Sequence, residues 1–220
     1  MKIQVVINAW AGGQAIFDRL MPFWKAHGLP IIVVCPSNSK VKTTLPIFEA
    51  GPAGQAGPNT FTRWKNELKF LRTLDCDGYV IFEYDSVCLD RGLIVKPGLR
   101  GIGAVSQEGY MAPYYVIPPW TLDRESLNKL CHAAIDHPEI YENGHDDRLL
   151  CAWAMAAGVP ILDHDRPFHA PGGGATIVPE QYEALRIAVE NGAVWIHGLK
   201  SQDALDVAVK ARARWMDKTL

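Results

Sequence analysis

Three places in the 220-residue sequence gather ionisable side chains at spacings that suit chemistry. The first is Glu83-Tyr84-Asp85, which closes the run Gly78-Tyr79-Val80-Ile81-Phe82. That apolar run, mostly β-branched or aromatic, predicts a strand buried on both faces. Side chains alternate along an extended chain, so Glu83 and Asp85 are expected on one side at the strand's carboxyl end. Two carboxylates so placed make a hard, oxygen-rich site of the kind Mg²⁺ or Mn²⁺ prefers. Acids at a strand end also serve simply to reach water, and the tripeptide alone favours neither reading.

The second place is Asp146-Asp147, within Asn143-Gly144-His145-Asp146-Asp147-Arg148-Leu149-Leu150. The stretch continues through Trp153 to Gly158-Val159-Pro160 and predicts a helix with acids in its first turn and a glycine stop. Such acids complement the helix dipole. Asp146 also shares a face with Leu149, Leu150 and Trp153, while Asp147 lies beside it towards Leu150 and Cys151. At least one acid is therefore expected at the rim of the buried surface, where it can act as a general base. The third place is His197-Gly198-Leu199-Lys200, delivered by the short apolar strand Ala193 to Ile196. A histidine after a strand is commonly a hydrogen-bonding residue, but a lysine so close adds a cation able to neutralise phosphate charge.

The elements that must hold these groups follow from periodicity. Lys2 to Ile7 reads as a strand, Ile16, Phe17, Leu20 and Phe23/Trp24 as a helix face ended by Gly28, and Ile31 to Val34 as a second buried strand. This βαβ unit implies a parallel sheet with a right-handed crossover. Between them, Ala11-Gly12-Gly13 either lets backbone approach a phosphate or base or makes a tight turn. Residues 51 to 60 read as a surface loop of functional length. Phe61, Trp64, Leu68, Leu71 and Leu74 mark a helix with Arg63, Lys65, Lys69 and Arg72 outside, and its stripe reads as core. Short strands are expected at Gly101 to Val105 and at Tyr114 to Ile117, the latter ending at Pro118-Pro119-Trp120, with a helix starting near Thr121 or Asp123. Trp120 at that junction could stack on a sugar or pack beneath the helix. A last helix spans Asp203 to Trp215.

A formal charge of −2 leaves no general nucleic-acid or membrane footprint. The five cysteines are scattered, odd in number and without metal-ligand spacing, and read as reduced packing residues of a cytoplasmic protein. No apolar stretch reaches the length of a signal peptide core or a membrane span. The length suits one domain over residues 1 to 220.

The order of these features resembles glycosyltransferases of the GT-A fold, and the resemblance covers nearly the whole chain. Glu83-Tyr84-Asp85 is similar to that family's Asp-x-Asp motif in a Glu-x-Asp form, Asp146-Asp147 to the Glu-Asp motif of inverting members, and His197-Gly198-Leu199-Lys200 to a C-terminal His-Gly-x-Lys segment. The resemblance implies an α/β fold of GT-A type, a single Rossmann-like mixed and mostly parallel sheet flanked by helices. It implies a divalent metal, Mn²⁺ or Mg²⁺, on Asp85 and His197 with Glu83 as direct or water-mediated partner. It places a catalytic base at Asp147, with Asp146 second, and Lys200 on the diphosphate of a nucleotide-sugar donor, UDP-linked by expectation. Asn8, Ala9 and Trp10 fall where the family contacts the nucleotide. The His-Gly-x-Lys segment is most familiar from retaining branches, whereas the Asp-Asp helix points to inversion. The acceptor is left open among glycans, small molecules, proteins and a modified DNA base, for which the basic face of Arg63, Lys65, Lys69 and Arg72 would be available. Glycine-rich acceptor-side segments are expected at Gly51 to Thr60 and His169 to Gly174. Two other readings are a sugar-nucleotide nucleotidyltransferase and a non-catalytic nucleotide-sugar-binding module. The first normally continues its glycine-rich loop into a Gly-x-Arg signature, where this chain has Ala11-Gly12-Gly13-Gln14-Ala15.

Overall fold

A computed structural model describes residues 1–52, 58–90, 92–104, 115–138, 140, 146–169 and 179–219. Its frame is a seven-stranded sheet in the order β3-β2-β1-β4-β7-β6-β8. At the centre, β1 (Ile3–Asn8) and β4 (Gly78–Glu83) run in parallel over their whole length, with Asn8 opposite Glu83 at the carboxyl end. Val5, Val6, Ile7 and Tyr79 to Phe82 are wholly enclosed, as two covered faces require. On one side of β1 follow β2 (Ile31–Pro36) and β3 (Ile47–Gly51), both parallel to it. On the other side of β4, β7 (Tyr115–Asp123) is antiparallel to both β4 and β6 (Leu99–Ala104), and β8 (Ile161–Asp163) is parallel to β6. Six strands therefore point one way and β7 alone is reversed.

Odd and even positions of the central strands face different cores. Val5, Ile7, Val80 and Phe82 pack with α1 (Gln14–Lys25), α5 (Pro179–Glu190) and α6 (Gln202–Thr219). Val6, Tyr79 and Ile81 pack with α2 (Pro58–Thr73), α3 (Arg124–Asp136) and α4 (Asp146–Ala156). Beside the first core lies a second sheet of three strands, β5 (Val87–Cys88), β10 (Trp195–His197) and β9 (Pro167–His169), in the order β5-β10-β9. The expectation of one sheet is thus extended by a small one. Asp90, which follows β5, pairs with Arg166 before β9 and with Arg212 of α6, and this clamps the small sheet to its helix.

Several boundaries differ from the sequence reading. β7 continues through Pro118 and Pro119, because the pairing with β6 shifts between Arg100 and Ile102. The two prolines sit at that irregularity, where a missing N–H costs the ladder nothing. The helix expected near Thr121 or Asp123 starts at Arg124, and Asp123 caps it by accepting from the N–H groups of Glu125 and Ser126. Gly51 belongs to β3 and Pro58 to Thr60 to α2, while residues 53–57 of the expected loop lie outside the described residues. The five cysteines are unpaired, four of them buried, as expected of packing residues. Among the described residues no helix is long and apolar enough to cross a membrane.

Candidate metal and donor site

The chain leaves β1 towards β2 on one side and β4 lies on the other, so the carboxyl ends of β1 and β4 flank a topological switch point. Open α/β sheets bind ligands at such a crevice. Asn8 and Glu83, paired in register, stand on its two lips.

The convergence of Glu83 and Asp85 has a different cause from the strand alternation expected for it. β4 ends at Glu83, and Tyr84 and Asp85 form a turn. Ser86 closes it: its N–H donates to the Glu83 carbonyl at 3.0 Å, and its hydroxyl accepts from the Glu83 N–H at 2.9 Å. Trp24 of α1 holds the turn from below, donating its indole N–H to the Ser86 carbonyl at 3.0 Å. The Leu199 N–H donates to the Asp85 carbonyl at 2.9 Å, tying the segment after β10 to the same turn. Gly198 takes φ 91°, a left-handed conformation disfavoured for a side-chain-bearing residue, and this lets the chain fold back so that His197 and Lys200 both face Asp85.

One ligand atom each from Glu83, Asp85 and His197 lies within 4.8 Å of the others. His197 Nε2 is 3.4 Å from Glu83 Oε2 and 3.5 Å from Asp85 Oδ1, and Lys200 Nζ is 3.8 Å from Asp85 Oδ2. Asp85 is only 1% exposed, yet its Oδ1 accepts no hydrogen bond. A buried carboxylate oxygen without a donor is costly, and a cation between two carboxylates and an imidazole removes that cost. Two hard oxygens with one imidazole suit Mn²⁺ or Mg²⁺. The residues present therefore fit a divalent cation.

Asn8 is 5% exposed, and neither its amide oxygen nor its amide nitrogen has a hydrogen-bond partner. Ala9 packs its methyl into the core and commits its N–H to the Val34 carbonyl. Trp10 is 48% exposed and meets the Tyr84 ring edge-on, with centroids 6.1 Å apart. These two rings explain Gly12 and Gly13. A Cβ on Gly12 would lie 2.0 Å from the Trp10 ring and one on Gly13 2.5 Å from that of Tyr84. The glycine pair forms a 3-10 turn beneath two aromatic rings and agrees with the tight-turn reading. Burial, reinforced by the charge of Asp85, pushes the Tyr84 phenol up from its ordinary range.

Of the two readings of Trp120, the structure favours packing and corrects the sugar contact. It is wholly buried, donates its indole N–H to the Val116 carbonyl at 3.0 Å and meets Trp64 at right angles, so no face is left for a ligand. The helix expected to carry the acid pair is present as α4, beginning at Asp146. Cys151 Sγ accepts from the Val116 N–H near the start of β7, which is the carboxyl edge of the parallel strands. Asp146 and Asp147 precede Cys151 by about one helical turn, roughly 6–7.5 Å, and α4 runs down to β8 at the opposite edge. The first turn of α4 is therefore at the edge that carries Glu83. The side chains of Asp146 and Asp147, with Asn143 to His145 and residues 170–174, lie outside the described residues.

Sequence reasoning missed Ser86, Trp24 and Tyr84 as organisers of the turn, and also His164. His164 donates its Nε2–H to the Pro119 carbonyl at 2.8 Å and stacks on Trp195 with centroids 4.0 Å apart. Trp195 lies two residues before His197, so this stack ties the main sheet to the strand that bears a site residue. Nothing local in the sequence marks it.

No family model matches the sequence, and no curated protein matches it. Solved structures do. The crystal structure of the galactosyltransferase LgtC in complex with donor and acceptor sugar analogues aligns with TM-score 0.54 and 14% identity, covering 96% of this chain and 95% of that one. An active-site mutant of LgtC aligns with TM-score 0.54 and 13% identity over the same shares. Likeness over nearly all of both chains, together with the sheet order above, shows an α/β fold of the GT-A glycosyltransferase type.

Proposed function

We propose that the chain is a metal-dependent glycosyltransferase that moves a sugar from a nucleoside-diphosphate sugar, with UDP as the nucleotide, to an acceptor hydroxyl. The observation that carries this reading is the Glu83, Asp85 and His197 cluster at the switch point, with the Lys200 ammonium at its side. Asp85 and His197 would hold Mn²⁺ or Mg²⁺, with Glu83 as direct or water-mediated partner. When bound, the cation supplies positive charge to the oxygens of the departing diphosphate.

The chain's own groups divide the remaining work. Lys200 neutralises charge that develops on the leaving diphosphate. Asn8, Ala9 and Trp10 line the nucleotide end, where the unpartnered Asn8 amide offers both a donor and an acceptor. Asp147, or Asp146 in second place, takes the proton from the acceptor hydroxyl as the sugar passes through an oxocarbenium-like state, giving inversion. The edge position of the first turn of α4 supports this assignment. The unpaired cysteines support a reducing, cytoplasmic setting. The rival nucleotidyltransferase reading lacks its Gly-x-Arg signature, since Ala11-Gly12-Gly13 runs on into Gln14-Ala15.

The test is product analysis after incubation with UDP-sugars, Mn²⁺ and a mixture of hydroxyl acceptors. Release of UDP supports the proposal. Release of pyrophosphate from a nucleoside triphosphate and a sugar phosphate would replace it with the nucleotidyltransferase reading.

A further inference from the structure

We infer that the outer face of α2 is a docking surface for the phosphate backbone of RNA, which puts the acceptor hydroxyl of the proposed transfer on an RNA strand. The acceptor part rests on the transferase reading above, while the docking part rests on residues of its own. Charge is unevenly spread along the chain: α2 holds four of the 22 lysines and arginines but only one of the 24 acids, Glu67, which is wholly buried. Lys65, Lys69 and Arg72 recur at i, i+4 and i+7 and so form one row on the helix, with Lys69 and Arg72 exposed and Lys65 partly so. Among the described residues none of these three meets a carboxylate. Cations elsewhere are paired, Lys2 with Asp75, Lys129 with Glu125, and Arg186 with Glu183 and Glu190. Across the row on α3, burial pushes the Cys131 thiol up to about 11, and the charged groups that act on it are all cations, Arg72, Lys69 and Arg124.

A cationic row without counter-charges suits a polyanion, and the rest of the face selects among polyanions. The exposed positions of α2 are Pro58, Asn59, Thr62, Lys69, Arg72 and Thr73. They offer no large apolar side chain to enter a lipid interface, as a membrane-surface helix does. Cations, hydroxyls and amides are instead the groups that hold phosphate and sugar oxygens. Lys65 to Arg72 spans about 10 Å of helix, roughly three phosphates of one strand at about 3.4 Å each. α2 follows β3 and leads to the start of β4, so its first turn stands at the carboxyl edge that carries Glu83. A strand lying along the row reaches that edge about 10 Å beyond Lys65. Unmodified DNA has no free hydroxyl along its length, whereas RNA presents a 2′-hydroxyl on every nucleotide. The hydroxyl that the transfer consumes therefore assigns the strand to RNA.

The experiment follows the fluorescence anisotropy of a short labelled single-stranded RNA during titration with the full chain at several salt concentrations. Three phosphate contacts at about 0.7 each give a log–log salt slope of about −2, so affinity is expected to fall roughly tenfold or more between about 50 and 200 mM salt. Neutralising the row with Lys65→Gln, Lys69→Gln and Arg72→Gln together is expected to remove most of the affinity and flatten the slope, whereas Lys65→Arg with Lys69→Arg keeps both. Arg19→Gln, Lys25→Gln and Lys210→Gln together remove the same charge from exposed positions of α1 and α6, which pack on the other face of the sheet. That variant is expected to bind RNA as the wild type does. Equal loss in both triple variants, no RNA binding by the wild type at the lower salt, or tighter binding to phosphatidylserine vesicles than to RNA would each overturn the inference. With a panel of labelled UDP-sugars, incorporation into RNA and not into DNA of the same sequence supports the acceptor assignment, and its absence overturns that assignment. Absence of Mn²⁺-dependent UDP binding by the wild type would instead sink the donor reading, a result distinct from any change in RNA binding.

Discussion

Acid sensitivity of the fold can be worked out from His164. Its ring is 6% exposed, and burial pushes it down from the ordinary 6.5 to about 4. Above pH 6.5 the imidazole is neutral in both folded and unfolded chains and contributes no pH dependence. Between pH 6.5 and 4 the unfolded chain takes up a proton that the folded chain refuses, so stability falls as pH falls through this window. At about 1.4 kcal/mol per pH unit, the gap between 6.5 and about 4 amounts to about 3.5 kcal/mol, of which about 2.5 kcal/mol is lost by pH 4.5. His164→Phe keeps a flat ring against Trp195 but cannot titrate and leaves the Pro119 carbonyl without its partner. That loss is expected to cost about 1–2 kcal/mol at pH 7. Urea denaturation of both proteins at pH 7 and pH 4.5 is the assay. Titrating groups that do not touch His164 are common to both proteins and cancel in the comparison. The variant should be less stable at pH 7 and match or exceed the wild type at pH 4.5. Parallel stability profiles across this range would refute the argument.

Other expectations follow from the same structure. Asp85→Asn abolishes transfer and weakens metal-dependent donor binding, while Asp147→Asn abolishes transfer and spares donor binding. Equal loss of donor affinity in both, measured by calorimetry with UDP and Mn²⁺, would remove the separation of their roles. Trp120→Ala costs about 3–5 kcal/mol of stability by leaving a cavity against Trp64. Trp120→Phe costs only about 1 kcal/mol for the lost bond to the Val116 carbonyl, and UDP affinity of the folded Trp120→Phe protein stays unchanged. A folded Trp120→Phe protein with impaired donor binding would return Trp120 to the site. Gly198→Ala forces a side chain into the left-handed region at about 1–2 kcal/mol, seen as a lower melting temperature, and weakens Mn²⁺ binding by displacing His197. Wild-type Mn²⁺ affinity in that variant would show that the fold-back does not depend on the glycine.

The central frame was legible because its strands are covered on both faces. Residues such as Val5 to Ile7 and Tyr79 to Phe82 leave unbroken apolar runs, and the stripe of Trp64, Leu68 and Leu71 repeats at helical spacing. β3 was not legible, since only Ala50 of that edge strand is buried. The small sheet escaped because β5 and β9 are too short to show a period. Within the site, residue types singled out Glu83, Asp85, His197 and Lys200, and the fold brings these four together. What brings them together did not show, because the Ser86-closed turn and the Leu199 to Asp85 bond are set by tertiary structure. The stack of His164 on Trp195, residues far apart in the chain, could not be seen for the same reason. Trp120 was open between packing and a sugar contact because a tryptophan at a strand–helix junction looks the same in sequence whether its ring meets solvent or, as here, another tryptophan.

The most direct test of the central claim is a thermal-shift panel of nucleoside diphosphates and nucleotide sugars, each with and without Mn²⁺, on the wild type and Asp85→Asn. A ligand that binds only the folded chain must raise its melting temperature. The account predicts stabilisation by uridine nucleotides that requires Mn²⁺ and disappears in Asp85→Asn. Stabilisation that ignores Mn²⁺, or survives unchanged in Asp85→Asn, would contradict it.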